Sequence, residues 1–322
     1  MRLLVTGGAG YIGSVVAAQL LAAGHDVVVL DDLSTGHADA VPPGARFVRG
    51  DLRRDALREL VGIDAVLHFA AKSLVAESVA NPALYWTANL GGTLALLDAM
   101  RIARVPSLVF SSTAATYGEP DSVPISETTP ARPTSPYGAS KLAVDTAMAE
   151  HARMHGLGAV SLRYFNVAGA HRSADGRWLG ERHTVETHLI PNILTAATQG
   201  SGEVTIYGDN YPTRDGTCVR DYIHVTDLAA AHVLALRACE PGRHAVYNLG
   251  SGTGYTNREV VAACREVTGQ PLPIRVAARR AGDPAVLIAS SERIAGELGW
   301  RPALGLAGMV ADAWAFTRAG RP

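Results

Sequence analysis

An excess of charge of one sign is missing from this chain. Its 322 residues carry 29 lysines and arginines against 30 aspartates and glutamates, a formal net charge of −1. A nucleic-acid binder would more often show a basic excess or stripe, and a disordered tail would show a block of like charge; the sequence has neither. Cysteine is scarce. Cys218, Cys239 and Cys264 form no CxxC pair and read as plain buried or surface thiols rather than as metal ligands or a disulfide. No stretch approaches the ~18 unbroken apolar residues of a membrane span. The opening Met1-Arg2-Leu3-Leu4-Val5-Thr6 runs straight into glycines, with neither a long apolar core nor a cleavage site. It reads as a strand, and the expectation is a cytoplasmic protein. Internal repeats and low-complexity tracts are lacking as well.

What is present is apolar material in a regular rhythm. Hydrophobic residues make up 48% of the chain, ample for a buried core, and the length suits one large α/β unit or two closely joined domains. Leu3-Leu4-Val5, Val27-Val28-Val29-Leu30, Arg46-Phe47-Val48, Ala65-Val66-Leu67-His68-Phe69 and Ser107-Leu108-Val109-Phe110 read as strands, with helical patterns between them, the first over residues 14–23. Nearly uniform apolar strands alternating with helices predict an α/β, doubly wound parallel sheet (Rossmann-type) covered on both faces. After about Arg163 the rhythm breaks. Residues 171–186 and 207–217 are polar, glycine-containing and irregular, and long loops of this kind are often functional. The expected division is a dinucleotide-binding domain over 1–165 and a smaller mixed substrate-binding lobe over 166–322. A strand at Ala245-Val246-Tyr247-Asn248-Leu249 is expected to return to the sheet.

The first strand leads into Gly7-Gly8-Ala9-Gly10-Tyr11-Ile12-Gly13 and then a helix. The glycines at 7, 10 and 13 let the backbone turn tightly and let a pyrophosphate approach the helix N-terminus, where free N–H groups favour negative charge. Asp31 closes the second strand 18 residues past Gly13, near the ~20 expected for the acid that holds an adenine ribose. Its carboxylate would accept bonds from ribose hydroxyls and repel a 2′-phosphate, so the expected cofactor is NAD rather than NADP. Asp51, after Arg49-Gly50, reads either as a neighbour of the adenine or as an ordinary loop acid.

Tyr137 and Lys141 form a Tyr-x-x-x-Lys pair, four apart and so on one face of a helix. An unperturbed tyrosine has a pKa of ~10 and needs help to act as a base near neutrality; a lysine ammonium can supply it. Thr113 follows an apolar strand directly, where its hydroxyl would face the crevice at the strand's carboxyl end. Ser112 competes for this place, and Ser111 reads equally as a turn hydroxyl.

With these motifs in view, the chain resembles the extended short-chain dehydrogenase/reductase family over nearly its whole length. The TGGAGYIG opening carries that likeness first. Phe110-Ser111-Ser112-Thr113-Ala114-Ala115-Thr116-Tyr117-Gly118 then looks like the form found in the family's UDP-galactose epimerases. Related nucleotide-sugar dehydratases place an Asp-Glu pair where this chain has Ala114-Ala115, which argues against dehydration. Further matching segments are Arg163 to Ala170, His188-Leu189-Ile190-Pro191, Val219 to Leu228, Tyr247-Asn248-Leu249-Gly250 and Arg279-Arg280-Ala281-Gly282-Asp283.

The resemblance implies interconversion of UDP-galactose and UDP-glucose on tightly bound NAD, with hydride removed from and returned to sugar carbon 4. Thr113, Tyr137 and Lys141 would be the catalytic set. Gly7, Gly10, Tyr11, Ile12, Gly13, Asp31, Asp51, Leu52, Phe69, Asn89 and Tyr164, with Tyr137 and Lys141, would contact the cofactor. Besides Thr113 and Tyr137, the UDP-sugar would meet Asn166, His188, Leu189, Tyr207, Arg220, Arg280, Asp283 and Leu287. Leu287 would stand at the rim of the sugar pocket and restrict N-acetylated sugars. Tyr207 reads equally as a core aromatic, and Leu287 as a core leucine. Two positions depart from the family pattern: Ser73 stands where some members have lysine, with Lys72 one place earlier, and His188 stands where others have asparagine. No metal is expected, since His151 and His155 lack the glutamate of HExxH and the other histidines show no ligand spacing. A homodimer is implied, pairing the helix of Tyr137 and Lys141 with that around 89–100. Alternatives are an epimerase for UDP-GlcNAc, a UDP-uronic acid or a UDP-pentose, or a non-catalytic NAD-binding regulator on the same fold.

Overall fold

The structure, a computed structural model, describes residues 1–200, 202–280 and 283–320. Of the motif residues quoted above, Ala281 and Gly282 lie outside the described residues. Six parallel strands, β1 (Arg2–Thr6), β2 (Asp26–Asp31), β3 (Arg46–Arg49), β4 (Ala65–His68), β5 (Ser107–Ser111) and β6 (Gly158–Tyr164), join the strand His244–Leu249 in one sheet. Its order is His244–Leu249, β6, β5, β4, β1, β2, β3, and every neighbouring pair is parallel. The doubly wound α/β fold expected from the sequence is thus what the chain adopts.

Alternation along the strands explains the two layers. Side chains point to opposite faces at every step. Leu3 and Val5 of β1, with Val27 and Val29 of β2, enter one buried cluster, whereas Leu4, Val28 and Leu30 enter the other. The helix α1 (Tyr11–Ala22) contributes Val15, Val16 and Leu20 to the first cluster. A helix over Gly92–Ala103 contributes Leu96, Leu97 and Met100 to the second. A third cluster, with Ile190, Ile193, Val260, Val261, Cys264 and Met309, forms the smaller lobe.

Residue numbers do not separate the lobes. Ile223, Val225, Leu228, Ala231, Ile294 and Trp300 all lie in the first cluster beside α1 and the sheet, although each follows residue 165. The irregular stretches also hold short strands. Ala170–Arg172 pairs antiparallel with Trp178–Gly180, and Val204–Tyr207 pairs parallel with Ile274–Ala277. Strands of three or four residues are too short to leave a readable period of two.

The winding positions the site. From β1 the chain moves outward to β2 and β3, then returns to β4 on the other side of β1. That reversal opens a crevice outside the carboxyl ends of the strands. Gly7, Asp31, Phe69, Ser111 to Thr113 and Tyr164 all stand at those ends. The helix Pro136–His155 faces them at its start. Pro136 sits in its first turn, the Ser135 hydroxyl accepts a bond from Gly138 N at 3.2 Å, and Gly156 closes it at φ 73°. A side-chain cap of this kind is worth ~1 kcal/mol and fixes where Tyr137 enters the crevice.

Candidate active site

Thr113 and Tyr137 meet at the carboxyl end of β5. The Thr113 hydroxyl accepts from Ala115 N at 3.1 Å and stands beside the Tyr137 phenol. Burial pushes that phenol above its ordinary value of 10.0, and the neighbouring Thr113 hydroxyl opposes the rise. Lys141, one helical turn on, donates from Nζ to the Ser111 carbonyl at 2.8 Å and lies 4.6 Å from the centre of the Phe110 ring. Burial brings its pKa from 10.5 down to about 7, against the pull of Asp145. The ammonium is therefore turned to the end of β5, and the local counterweight on the phenol comes from Thr113. Ser112 is fully buried and donates the other way, to Asp145 at 3.3 Å. The Ser111 hydroxyl pairs with the Tyr164 hydroxyl at 2.6 Å. Of the three adjacent hydroxyls only Thr113 acts on the Tyr137 phenol.

The turn after β1 has the shape of a phosphate cradle. Gly7 adopts φ 71°, and a Cβ there would fall 2.5 Å from Ala70 N; one at Gly13 would fall 2.3 Å from the Gly7 carbonyl oxygen. Only glycine lets these backbones pass so closely, and the open end of α1 keeps its N–H groups facing the crevice. Asp31 accepts from Ala9 N at 3.0 Å and Leu33 N at 2.8 Å. Burial raises its pKa although both backbone bonds oppose that. A dinucleotide fits this set of glycines, free donors and an oriented carboxylate.

Other expected cofactor contacts are committed within the protein. Tyr11 donates to the Gly169 carbonyl at 2.6 Å, and Ile12 packs on the first core. Asp51 caps the helix α2 (Leu52–Glu59) by accepting from Arg53 N at 2.9 Å, and its carboxylate pairs with Arg53 at 2.7 Å and Arg54 at 3.4 Å. Those bonds hold the Asp51 carboxyl well below the usual range. Leu52 packs against the second core. Phe69 lies 4.8 Å from the His232 ring. Asn89 exchanges bonds with the Lys72 backbone at 2.8 and 3.0 Å and donates to Ser140 at 3.0 Å, so its amide ties the turn after β4 to the tyrosine-bearing helix.

Beyond Tyr164 lies a cavity of about 630 Å³. Asn166, His188, Leu189, Tyr207, Arg220, Arg280 and Asp283 all line it, drawn from five separate stretches of chain. Arg220 forms an ion pair with Asp283 and donates to the Val219 carbonyl at 2.7 Å. The Arg280 guanidinium lies 4.0 Å from the centre of the Tyr207 ring. Tyr207 is 37% exposed and no core aromatic. Asn166 stands in register with Tyr222, in the parallel pair of Asn166–Ala168 with Tyr222–His224. Leu287 is half-buried in the short strand Val286–Leu287, in register with Arg220, and is not among the cavity's lining residues.

Some groups at the site escaped the sequence reading. Cys218 and Asn257 line the cavity, with Asn257 Nδ2 3.2 Å from the Cys218 sulfur. Glu181, His183 and Glu186 gather around His188. Burial opposes the charge on His188, but hydrogen bonds to Glu181 and Glu186 overcome it and push its pKa up to about 10. The spacing Glu-x-His-x-x-Glu-x-His was the available signal. Also unremarked was His68, buried between the Thr6 hydroxyl at 2.6 Å and the Thr93 hydroxyl at 2.9 Å, and brought down to about 3 by burial. It holds β4 to β1 as a neutral ring.

Comparison with known proteins gives a consistent set of likenesses. The family model described as NAD dependent epimerase/dehydratase family matches residues 3–250. A UDP-glucose 4-epimerase of Corynebacterium glutamicum is 57% identical over 323 residues, covering 99% of this chain and 96% of its own. A crystal structure of a UDP-glucose-4-epimerase from Stenotrophomonas maltophila with bound NAD and formylated UDP-arabinopyranose superposes with a TM-score of 0.93 at 42% identity, over 99% of this chain and 98% of that one. Another, from Bifidobacterium longum in complex with NAD+ and UDP, superposes with a TM-score of 0.91 at 38% identity over the same shares.

Proposed function

The chain belongs to the NAD dependent epimerase/dehydratase family, and from that premise we propose that it interconverts UDP-galactose and UDP-glucose by inverting carbon 4 of the sugar. It is an isomerase that uses NAD. The observation that carries the reading of the site is the placing of Thr113 beside the buried Tyr137 phenol at the carboxyl end of β5, with Ala114 and Ala115 next to it. A hydroxyl and a phenol side by side can pass one proton to or from a sugar hydroxyl. The two alanines offer no second acid for expelling water.

When bound, NAD supplies a hydride acceptor and then a donor for the sugar carbon. The chain's residues do the rest. Gly7, Gly10 and Gly13 admit the pyrophosphate, and Asp31 holds the adenine ribose. Lys141 and Tyr164 flank the reacting end, and Asn89 positions the turn beside it. Tyr137, as phenolate, takes the proton of the 4-hydroxyl, directly or through Thr113, and the phenol so formed returns it when the hydride comes back. Arg220, Arg280, Asp283 and Asn166 anchor the diphosphate and uridine, Arg through its bidentate fork, while Tyr207 and Leu189 complete the nucleotide cavity. Anchoring the nucleotide and leaving the hexose unheld lets either face of carbon 4 meet the same phenol.

The same proposal includes a homodimer and a cytoplasmic place of work. Leu94, Ile102 and Met154 are exposed on the two helices expected to pair, while Leu96 and Leu97 belong to the core. Among the described residues no helix is long and apolar enough to cross a membrane. The decisive experiment supplies UDP-galactose and couples UDP-glucose formation to a UDP-glucose dehydrogenase. Sustained turnover is expected; no product from protein that retains its dinucleotide would reject the reading.

A further inference from the structure

Residues 181–188 cross from the hairpin strand Trp178–Gly180 to the helix Leu189–Thr198, and they bring four side chains to one point. His188 Nδ1 lies 2.6 Å from Glu181 Oε1 and 3.3 Å from Glu186 Oε1. His183 Nδ1 lies 3.4 Å from Glu181 Oε1 and 3.3 Å from Glu186 Oε2. One donor atom from each residue lies within 4.8 Å of the others. The two rings are 5.3 Å apart and inclined at 49°, so neither stacks flat on the other. The Glu181 side chain is 8% exposed and that of Glu186 16%.

We propose that Glu181, His183, Glu186 and His188 form a divalent metal site, with zinc as the ion of fitting chemistry. A tetrahedral ion with nitrogen and oxygen ligands at ~2.0–2.2 Å holds those ligands ~3.3 Å apart. Three of the four histidine–glutamate separations already have that spacing, and the fourth needs to open by roughly half an ångström or slightly more to reach it. Two imidazoles suit a borderline ion and disfavour magnesium and calcium, which take oxygen ligands. Two carboxylates balance the charge of a dication. Four protein ligands close the coordination sphere, so the site is structural and not catalytic.

Its position suggests what it steadies. Arg182, inside the loop, pairs with Asp39 of the dinucleotide lobe at 2.8 Å. Glu186, His188 and Leu189 line the nucleotide cavity. An ion at the cluster would therefore fix a loop, already tethered to one lobe, against the cavity wall of the other. These four groups do not follow HExxH spacing; they are spread along an extended turn instead.

The test uses the intact dinucleotide-bound protein, treated with chelator and then dialysed against zinc, magnesium or calcium. Metal per chain is read by mass spectrometry. Wild type should retain about one zinc and gain a few degrees in Tm, with neither magnesium nor calcium retained. His183→Ala and Glu181→Gln should each lose the zinc and the shift while keeping bound dinucleotide and the circular dichroism of the wild type. Cobalt in place of zinc should give the visible bands of a tetrahedral site. Wild type without zinc, a cluster that prefers magnesium or calcium, or His183→Ala with full zinc content would each overturn the proposal and leave an ion-pair cluster only. None of these readouts depends on which sugar is epimerised.

Discussion

Replacing Lys141 by methionine probes the buried ammonium at the heart of the site. Lys141 is 3% exposed, and among the described residues its Nζ reaches only the Ser111 carbonyl as a hydrogen-bond partner. Its nearest compensating acid, Asp145, is already bonded to Arg163 at 2.7 Å. Burial consequently outweighs Asp145 and takes the pKa from 10.5 to about 7. The folded value lies below the unfolded one, so between the two the unfolded chain binds more protons. The contribution of this lysine to stability is then full above 10.5 and is lost as pH falls toward 7. The whole window corresponds to ~5 kcal/mol, of which ~2 kcal/mol falls between pH 7 and 9. The thiols of Cys218, Cys239 and Cys264 run the other way, because burial pushes each above 9.0 and the unfolded chain releases those protons first. Comparing wild type with Lys141→Met cancels them. Urea unfolding of dinucleotide-free protein at pH 7, 8 and 9 should show wild-type stability climbing relative to the variant by ~2 kcal/mol. Parallel curves, within about 0.5 kcal/mol, would refute the reasoning.

Tyr137→Phe removes the proton-carrying oxygen and little volume, so kcat should fall ~10²–10⁴-fold while calorimetry finds UDP binding unchanged; near-normal turnover would move the proton transfer to another group. Denatured wild-type protein should release NAD(H) and no NADP, and Asp31→Ala should copurify with less of it; a preparation holding NADP instead would contradict the role given to Asp31. Leu287→Ser should raise the rate on UDP-GlcNAc relative to UDP-galactose if a leucine there overpacks the acetamido group by ~1–3 kcal/mol. Because Leu287 stands in a half-buried strand beside Arg220 and outside the cavity lining, an unchanged ratio of the two rates would assign it to packing alone.

Whatever depends on residues close in the chain was legible in the sequence. Apolar strands of four to six residues, the glycine turn entering α1, Asp31 at the end of β2 and the Tyr137–Lys141 spacing all express local geometry: an unbroken apolar run, a positive φ, a helical turn. From these the doubly wound sheet followed. The likeness to a known family then named the lining of a cavity whose walls come from residues as far apart as Asn166 and Asp283. Tertiary packing decided which group faces which. Ser112 and Thr113 are adjacent and chemically alike, but the strand's alternation sends one to Asp145 and the other to Tyr137. Lys141 shares a helix face with Tyr137, yet its ammonium goes to the end of β5, a strand some thirty residues earlier. Asn89 is drawn to Lys72 and Ser140, partners that no local pattern announces. The four groups at 181–188 are near in sequence, but a turn without helical or strand period brings them together, and only a loop held at Asp39 on one side and at the helix Leu189–Thr198 on the other gives that turn its shape. Short-range sterics are written residue by residue; the direction of a side chain at the crevice is set by segments that fold against it from elsewhere in the chain.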